Sequence, residues 1–211
     1  MTNLNNLYDA ILTGNLNLAV STTNDAIAEG NVEPQLIIND YMVKAMEEVG
    51  SRFEAGKAFV PNLLMSARAM KGSLELLKPL LKSGDAKPMG KILIGTVKGD
   101  LHDIGKNLVA SMFEGCGFDV VNLGVDVTDH QFVDAVKEHK ANILCMSALL
   151  TTTMNYMKEV ITALEVAGIR NEVKIMVGGA PVNQDFADKI GADGYSDNAN
   201  AAVALARTLV A

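Results

Sequence analysis

The sequence predicts an α/β protein, with an N-terminal four-helix bundle followed by a doubly wound, Rossmann-like five-stranded parallel sheet. Two observations carry this prediction. Residues 1–82 read as helix throughout, with apolar residues at helical spacing and no alternating stretch. Beyond residue 90 the period changes, and short runs of β-formers alternate with helical patterns, as βαβ units require. The break falls in Ser83-Gly84-Asp85-Ala86-Lys87-Pro88-Met89-Gly90, which has a linker's composition, so domains of 1–88 and 89–211 are expected. A length of 211 residues suits one large domain or two small ones.

In the first part, Asn3–Thr13 is a short helix broken by Gly14, and Asn17–Ala28 is a second that stops at Glu29-Gly30-Asn31. Pro34 suits the first turn of a third helix, in which Leu36, Ile37, Tyr41, Ala45, Met46 and Val49 form an apolar stripe. Gly56 interrupts it. Pro61 opens a fourth helix carrying Leu63, Leu64, Ala67, Met70, Leu74, Leu77 and Leu81. Loops of a few residues join antiparallel neighbours in a bundle.

In the second part, strands are expected at Lys91–Val97, Asp119–Leu123, Ala141–Ser147 and Val173–Val177, with a short fifth near Gly194-Tyr195. Helices are expected at Gly105–Glu114, Asp129–His139, Thr153–Ala167, Asn183–Ile190 and Asn198–Val210. Right-handed crossovers place the loops after the strands at one edge of the sheet, where open α/β sheets bind ligands.

Composition narrows the function classes. A formal net charge of −7 opposes a phosphate-backbone partner, so no nucleic acid is expected. The absence of Trp leaves no aromatic platform for single strands. No apolar run approaches the roughly 20 residues of a membrane span. Met1-Thr2-Asn3-Leu4-Asn5-Asn6 lacks the basic start and apolar core of a signal peptide. Cys116 and Cys145 lie on different elements and form no CxxC, which suits buried thiols in a reducing cytosol; a cytoplasmic location is expected.

Four loops at the expected edge are unusual. They are Asp100-Leu101-His102-Asp103-Ile104-Gly105, Ser147-Ala148-Leu149-Leu150-Thr151-Thr152-Thr153, Gly178-Gly179-Ala180-Pro181 and Gly191-Ala192-Asp193-Gly194-Tyr195-Ser196. A loop His beside a carboxylate is a candidate metal ligand or general base, and Asp100-x-His102 lets the carboxylate curl back to one ring nitrogen. The plain alternative is a surface His with an incidental acidic neighbour. One His cannot close a zinc site, and His130 and His139 sit on an expected helix, facing solvent. A metal here would have to arrive with most of its coordination filled. The hydroxyls of the second loop have a plain reading as helix caps, Thr153 foremost. Gly178-Gly179 reads on its own as a tight turn, the commoner meaning of a lone Gly pair. Neither GxGxxG nor GxxxxGK[ST] occurs.

Together these pieces resemble the cobalamin-binding domain family, whose signature is DxHxxG, then SxL, then GG. Here it reads Asp100 to Gly105, Ser147-Ala148-Leu149 and Gly178-Gly179, with 41 residues between Gly105 and Ser147 and 28 between Leu149 and Gly178. Gly56-Lys57-Ala58-Phe59-Val60-Pro61 and Ser66-Ala67-Arg68-Ala69-Met70-Lys71 look like the helical cap of methionine synthase and of small methyltransferase corrinoid proteins. Length and the lack of further domains fit the small corrinoid proteins.

The resemblance implies a cofactor, cobalamin or a related corrinoid in its methyl form, held with its own base displaced and the nitrogen of His102 distal to the backbone on cobalt. Asp100 would accept the other ring N–H, and Thr153 would extend the relay. The displaced nucleotide tail would thread past Gly105 and along Ser147, Leu149, Gly178 and Gly179, with Gly194, Tyr195 and Ser196 a looser match. Loss of the methyl as a cation equivalent leaves cobalt without need of an axial base, so the relay takes up a proton as His102 leaves. Phe59, Leu63, Leu64, Met65 and Met70 are candidates for shielding the methyl group, or are ordinary bundle core, and Ser83–Gly90 is the expected hinge. The implied activity is methyl carriage, non-catalytic alone, between a substrate-specific methyltransferase and a corrinoid:acceptor methyltransferase using tetrahydrofolate or coenzyme M, with a reductive activase as a further partner. A cobalamin-dependent regulator would want a basic DNA-binding segment, which is not seen. The small subunit of an adenosylcobalamin mutase would lack the Gly56–Lys71 cap. A cofactor-free interaction domain is the third alternative.

Overall fold

The computed structural model describes residues 2–80 and 89–210. The expected hinge at Ser83–Gly90 lies outside the described residues except for Met89 and Gly90. The chain packs as two compact units, one of residues 1–88 with 111–117 and one of residues 89–110 with 118–211.

The helical unit comprises α1 (Asn5–Leu12), α2 (Leu16–Glu29), α3 (Pro34–Ile37) running on into α4 (Lys44–Glu54), and α5 (Val60–Leu77). Asn15 caps α2 by accepting from the Leu18 N–H, and Gly30 ends it in the left-handed conformation. Between α3 and α4 the helix widens to a π-helix over Ile38–Val43, a departure from the continuous α-helix that the apolar spacing predicts. Its i→i+5 turn shifts the apolar stripe. Ile38 and Met42 are buried beside Ile37, Ala45, Met46 and Val49, whereas Leu36 is exposed and Tyr41 half-buried. Leu63 and Met70 of α5 are core, while Phe59, Leu64 and Met65 stand in solvent.

The second unit is a five-stranded parallel sheet of order β2-β1-β3-β4-β5: β1 (Lys91–Val97), β2 (Asp119–Val127), β3 (Ile143–Ser147), β4 (Lys174–Gly178) and β5 (Gly194–Tyr195). The crossovers carry α6 (Ile104–Gly115), α7 (Asp129–His139), α8 (Tyr156–Val166) and α9 (Gln184–Ile190), and α10 (Ala199–Val210) follows β5. Residues 111–117, the end of α6, group with the helical unit. One apolar core of the sheet unit joins Leu93, Leu144, Ile175 and Val177 to Phe132, Val136, Met157, Ile161 and Leu164 of α7 and α8. β1, buried along nearly its whole length, reads as a continuous β-former run for this reason. β2 extends four residues past its expected end at Leu123. It does so as an edge strand with two register shifts against β1, and such irregular pairing hides the period-2 signal. Cys116 and Cys145 are both buried, and burial pushes the Cys145 thiol up. No helix among the described residues is long and apolar enough to cross a membrane.

Candidate functional site

The register aligns the ends of three strands, pairing Thr96 with Ser147 and Ser147 with Gly178, and Tyr195 pairs with Val177 one step along. The unusual loops therefore converge at the C-terminal edge of the sheet, where a strand's end leaves backbone free for a ligand.

Asp100 is fully buried and organises that edge. Its Oδ1 accepts from the His102 backbone N–H at 3.1 Å and lies 2.7 Å from His102 Nδ1. Its Oδ2 accepts from Thr153 Oγ1 at 2.7 Å and from the backbone N–H groups of Leu149 at 2.8 Å and Leu150 at 3.3 Å. Burial alone would push this carboxyl up. The hydrogen bonds from Thr153, Leu149 and His102 outweigh it and hold the group well below the usual carboxylate range. An ionised carboxylate only accepts, so His102 Nδ1 carries the hydrogen of this contact and Nε2 is the ring nitrogen that Asp100 does not engage. The imidazole side chain is 51% exposed. Thr96, buried at the end of β1, donates from Oγ1 to the His102 carbonyl at 2.9 Å and fixes the turn from beneath.

Thr153 does not cap a helix. α8 starts at Tyr156, with Asn155 at the cap position making no side-chain cap bond. The Thr153 hydroxyl is buried and spent on Asp100, which is why its capping propensity is overridden. The glycines divide in role. Gly179 has φ +122°, and a Cβ there would overlap the Ala148 carbonyl of the neighbouring loop. Gly178 brings its α-carbon close to the Ser196 carbonyl, with an added Cβ 3.2 Å away. At Gly105 a Cβ would meet nothing within 4 Å, so the surface there is open. Gly194 is closed off by Leu205. Ser147 and Tyr195 are half-buried at the same edge, and Leu149 is exposed. Around His102, Leu101 and Ile104 are exposed too, the latter 88%.

Sequence patterns alone do not single out Thr96, nor the cluster at the start of α6. There Lys106 is buried, with Nζ 2.7 Å from both Asn107 Oδ1 and Asn122 Oδ1. Desolvation lowers its pKa, against the attraction of Asp103, which itself accepts from the Asn107 amide. The signal available is a Lys one residue past an open glycine, easily taken for a solvated helix start. His130 is exposed at the start of α7, and His139 is half-buried at its end. Among the described residues no three His, Cys, Asp or Glu side chains gather as a metal site.

The donor set suits a metal that brings most of its own ligands. It offers one exposed imidazole nitrogen, oriented through Nδ1 by a buried carboxylate, beside an open glycine and a bare backbone ledge. A corrinoid's cobalt is such a metal.

Comparison with known proteins agrees. Residues 90–204 match the family described as B12 binding domain, and residues 4–78 match a second family of the same description. The dimethylamine corrinoid protein of Methanosarcina barkeri is 44% identical over 209 residues, covering 99% of this chain and 97% of its own. Trimethylamine corrinoid protein 2 of Methanosarcina mazei is 47% identical over 189 residues, 89% of this chain and 86% of its own. A cobalamin-binding protein from Desulfitobacterium hafniense superposes with a TM-score of 0.85 at 32% identity, covering 100% of both chains. The methanol:cobalamin methyltransferase complex MtaBC of Methanosarcina barkeri matches at 0.83 and 33% identity, over 98% of this chain and 79% of the matched one. With its motif loops gathered at one sheet edge and a helical unit before them, the chain belongs to the B12-binding domain family and, within it, to the small corrinoid proteins.

Proposed function

We propose that this protein carries a methyl group on the cobalt of a bound corrinoid, loaded by a substrate-specific methyltransferase and unloaded by a second one onto tetrahydrofolate or coenzyme M. The observation that carries the proposal is the division of Asp100 between two tasks, with Oδ1 orienting His102 and Oδ2 gripping Thr153 and the β3–α8 loop. When bound, the corrinoid supplies a cobalt that accepts and releases the methyl group.

The chain's own residues then do three things. His102 would hold the cobalt through Nε2, its ring oriented by Asp100 through Nδ1. Gly105 leaves open space that would admit the cofactor's nucleotide tail, and Ser147, Leu149, Gly178, Gly179 and Tyr195 would line its path. Were the imidazole to take up a proton, Nε2 would be the atom to hold it, because Asp100 already receives five donors and is a poor place for one. The resulting imidazolium would sit against a buried carboxylate. Phe59, Leu64 and Met65 are exposed on the helical unit, on and before α5.

The donor class we propose is methylated amines. Relatives named for dimethylamine and trimethylamine share 42–47% identity with this chain, and among solved structures a monomethylamine corrinoid protein of Methanosarcina barkeri shares 36% against 33% for the methanol complex. Presenting the reduced holoprotein to methyltransferases specific for dimethylamine, trimethylamine and methanol tests this, and fastest methylation by the methanol enzyme would refute it. The axial role is tested by reconstituting His102→Ala. The variant should fold, hold the corrinoid more loosely and differ in its visible spectrum. Tight binding with an unchanged spectrum would rule out ligation by His102.

A further inference from the structure

The turn that carries His102 is held from β1 by Thr96 and from the β3–α8 loop through Asp100. A third hold comes from the edge strand β2. Its register against β1 runs Ile94–Asn122, then Gly95–Gly124, then Val97–Val127, so each of two successive steps adds one extra residue to β2. Such bulges re-aim side chains beside functional sites. The second bulge contains Asp126, with φ 54°, one of two non-glycine residues in the left-handed region among those described. The other, Lys140, ends α7, where that conformation is ordinary. Asp126 ends no helix. Asp and Asn tolerate this conformation better than other side chains.

What the strained conformation achieves is a two-point contact with the turn. Asp126 Oδ1 accepts from the Gly99 backbone N–H at 2.7 Å, and the Asp126 N–H donates to the Asp100 carbonyl at 3.1 Å. The two contacts flank the Asp100 α-carbon, one on each side of it along the backbone. They fix the backbone from which the buried carboxylate must reach His102 Nδ1 on one side and Thr153 on the other. No motif residue of the sheet edge lies on β2, whose other link to these loops is Asn122 beside Lys106.

We infer that Asp126 is a positioning residue for the axial histidine, acting through Asp100, and that its loss lowers the fraction of corrinoid coordinated by His102. The inference rests on the proposal that His102 ligates cobalt. Neither contact depends on the charge of Asp126, so Asp126→Asn, which keeps an acceptor oxygen and tolerates φ 54°, should preserve the function. Asp126→Ala loses the acceptor and keeps the strain. Asp126→Gly loses the acceptor and relieves the strain.

The test uses the full chain labelled with ¹⁵N-histidine, loaded with cobalamin and reduced to the Co(II) state, whose electron paramagnetic resonance shows a doublet splitting when a ¹⁵N ligand is axial. Wild type and Asp126→Asn should show the doublet in equal proportion. Asp126→Ala and Asp126→Gly should each lower it several-fold, with the Gly variant folded as judged by circular dichroism. A folded Asp126→Gly protein with a wild-type doublet would overturn the inference, because the side chain would then serve only the strand. A wild-type protein with no doublet would overturn the axial reading, and this inference with it.

Discussion

At Asp100, burial and hydrogen bonding act in opposite directions, and the balance has a measurable sign. The folded-state pKa is depressed, so the group contributes stability in full above its unfolded value of about 3.9 and loses it as pH falls toward the folded value. Asp100→Asn removes that dependence and sets an amide NH2 against donors. We expect the variant to be less stable by about 1–3 kcal/mol at neutral pH, and the gap to narrow in acid below about pH 4. Urea unfolding of wild type and variant across that range measures both. Thr153→Val tests the same junction from the other end. It keeps shape, removes the donor to Oδ2 and should cost about 1–3 kcal/mol in the same assay. An unperturbed Thr153→Val would mean that the Leu149 and Leu150 N–H groups satisfy Oδ2 unaided.

At the scale of elements, the glycines separate folding from binding. Gly179→Ala places a Cβ into the Ala148 carbonyl at a φ that side chains avoid, so the variant should be markedly destabilised. Gly105→Leu adds a side chain to open space at the start of α6 and should leave thermal stability nearly unchanged while weakening corrinoid binding. A Gly105→Leu protein that binds as well as wild type would show that the tail does not pass there. The same elements show what is legible in the sequence. β1 and α7 are readable to the residue, because a buried β-run and a helical stretch between turns leave little choice, while β5, a bare Gly-Tyr pair, is placed only approximately. The motif loops are readable because parallel crossovers send every strand's end to one edge. Three features are not readable. The π-helix keeps the composition of an α-helix. The bulges of β2 break the alternation that reveals a strand. The partner of Thr153 lies 53 residues away, and local capping chemistry has no access to that distance.

At the scale of the whole chain, the boundary that linker composition suggests and the packing differ in one place. The end of α6, residues 111–117, belongs with the helical unit, where Gly115 packs against Ala67 and Glu114 pairs with Lys71 at 2.7 Å. A fragment starting at Met89 should therefore lose hydrogen-exchange protection over 111–117 before it loses any in β1. Uniform protection across α6 in that fragment would contradict the grouping.

The exposed Leu101, Ile104, Leu149 and Leu150, on the two loops joined through Asp100, bear on how the chain behaves before it meets its cofactor. Left uncovered, four large apolar side chains in these segments would make a surface of the kind that draws molecules together. Its net charge of −7 keeps copies apart, and salt weakens that repulsion over the Debye length. The apo-protein should thus self-associate as ionic strength rises, visible as growing light scattering, and the loaded protein should not. In a cell that is short of corrinoid, colloidal fate and cofactor supply would be tied through the same four side chains.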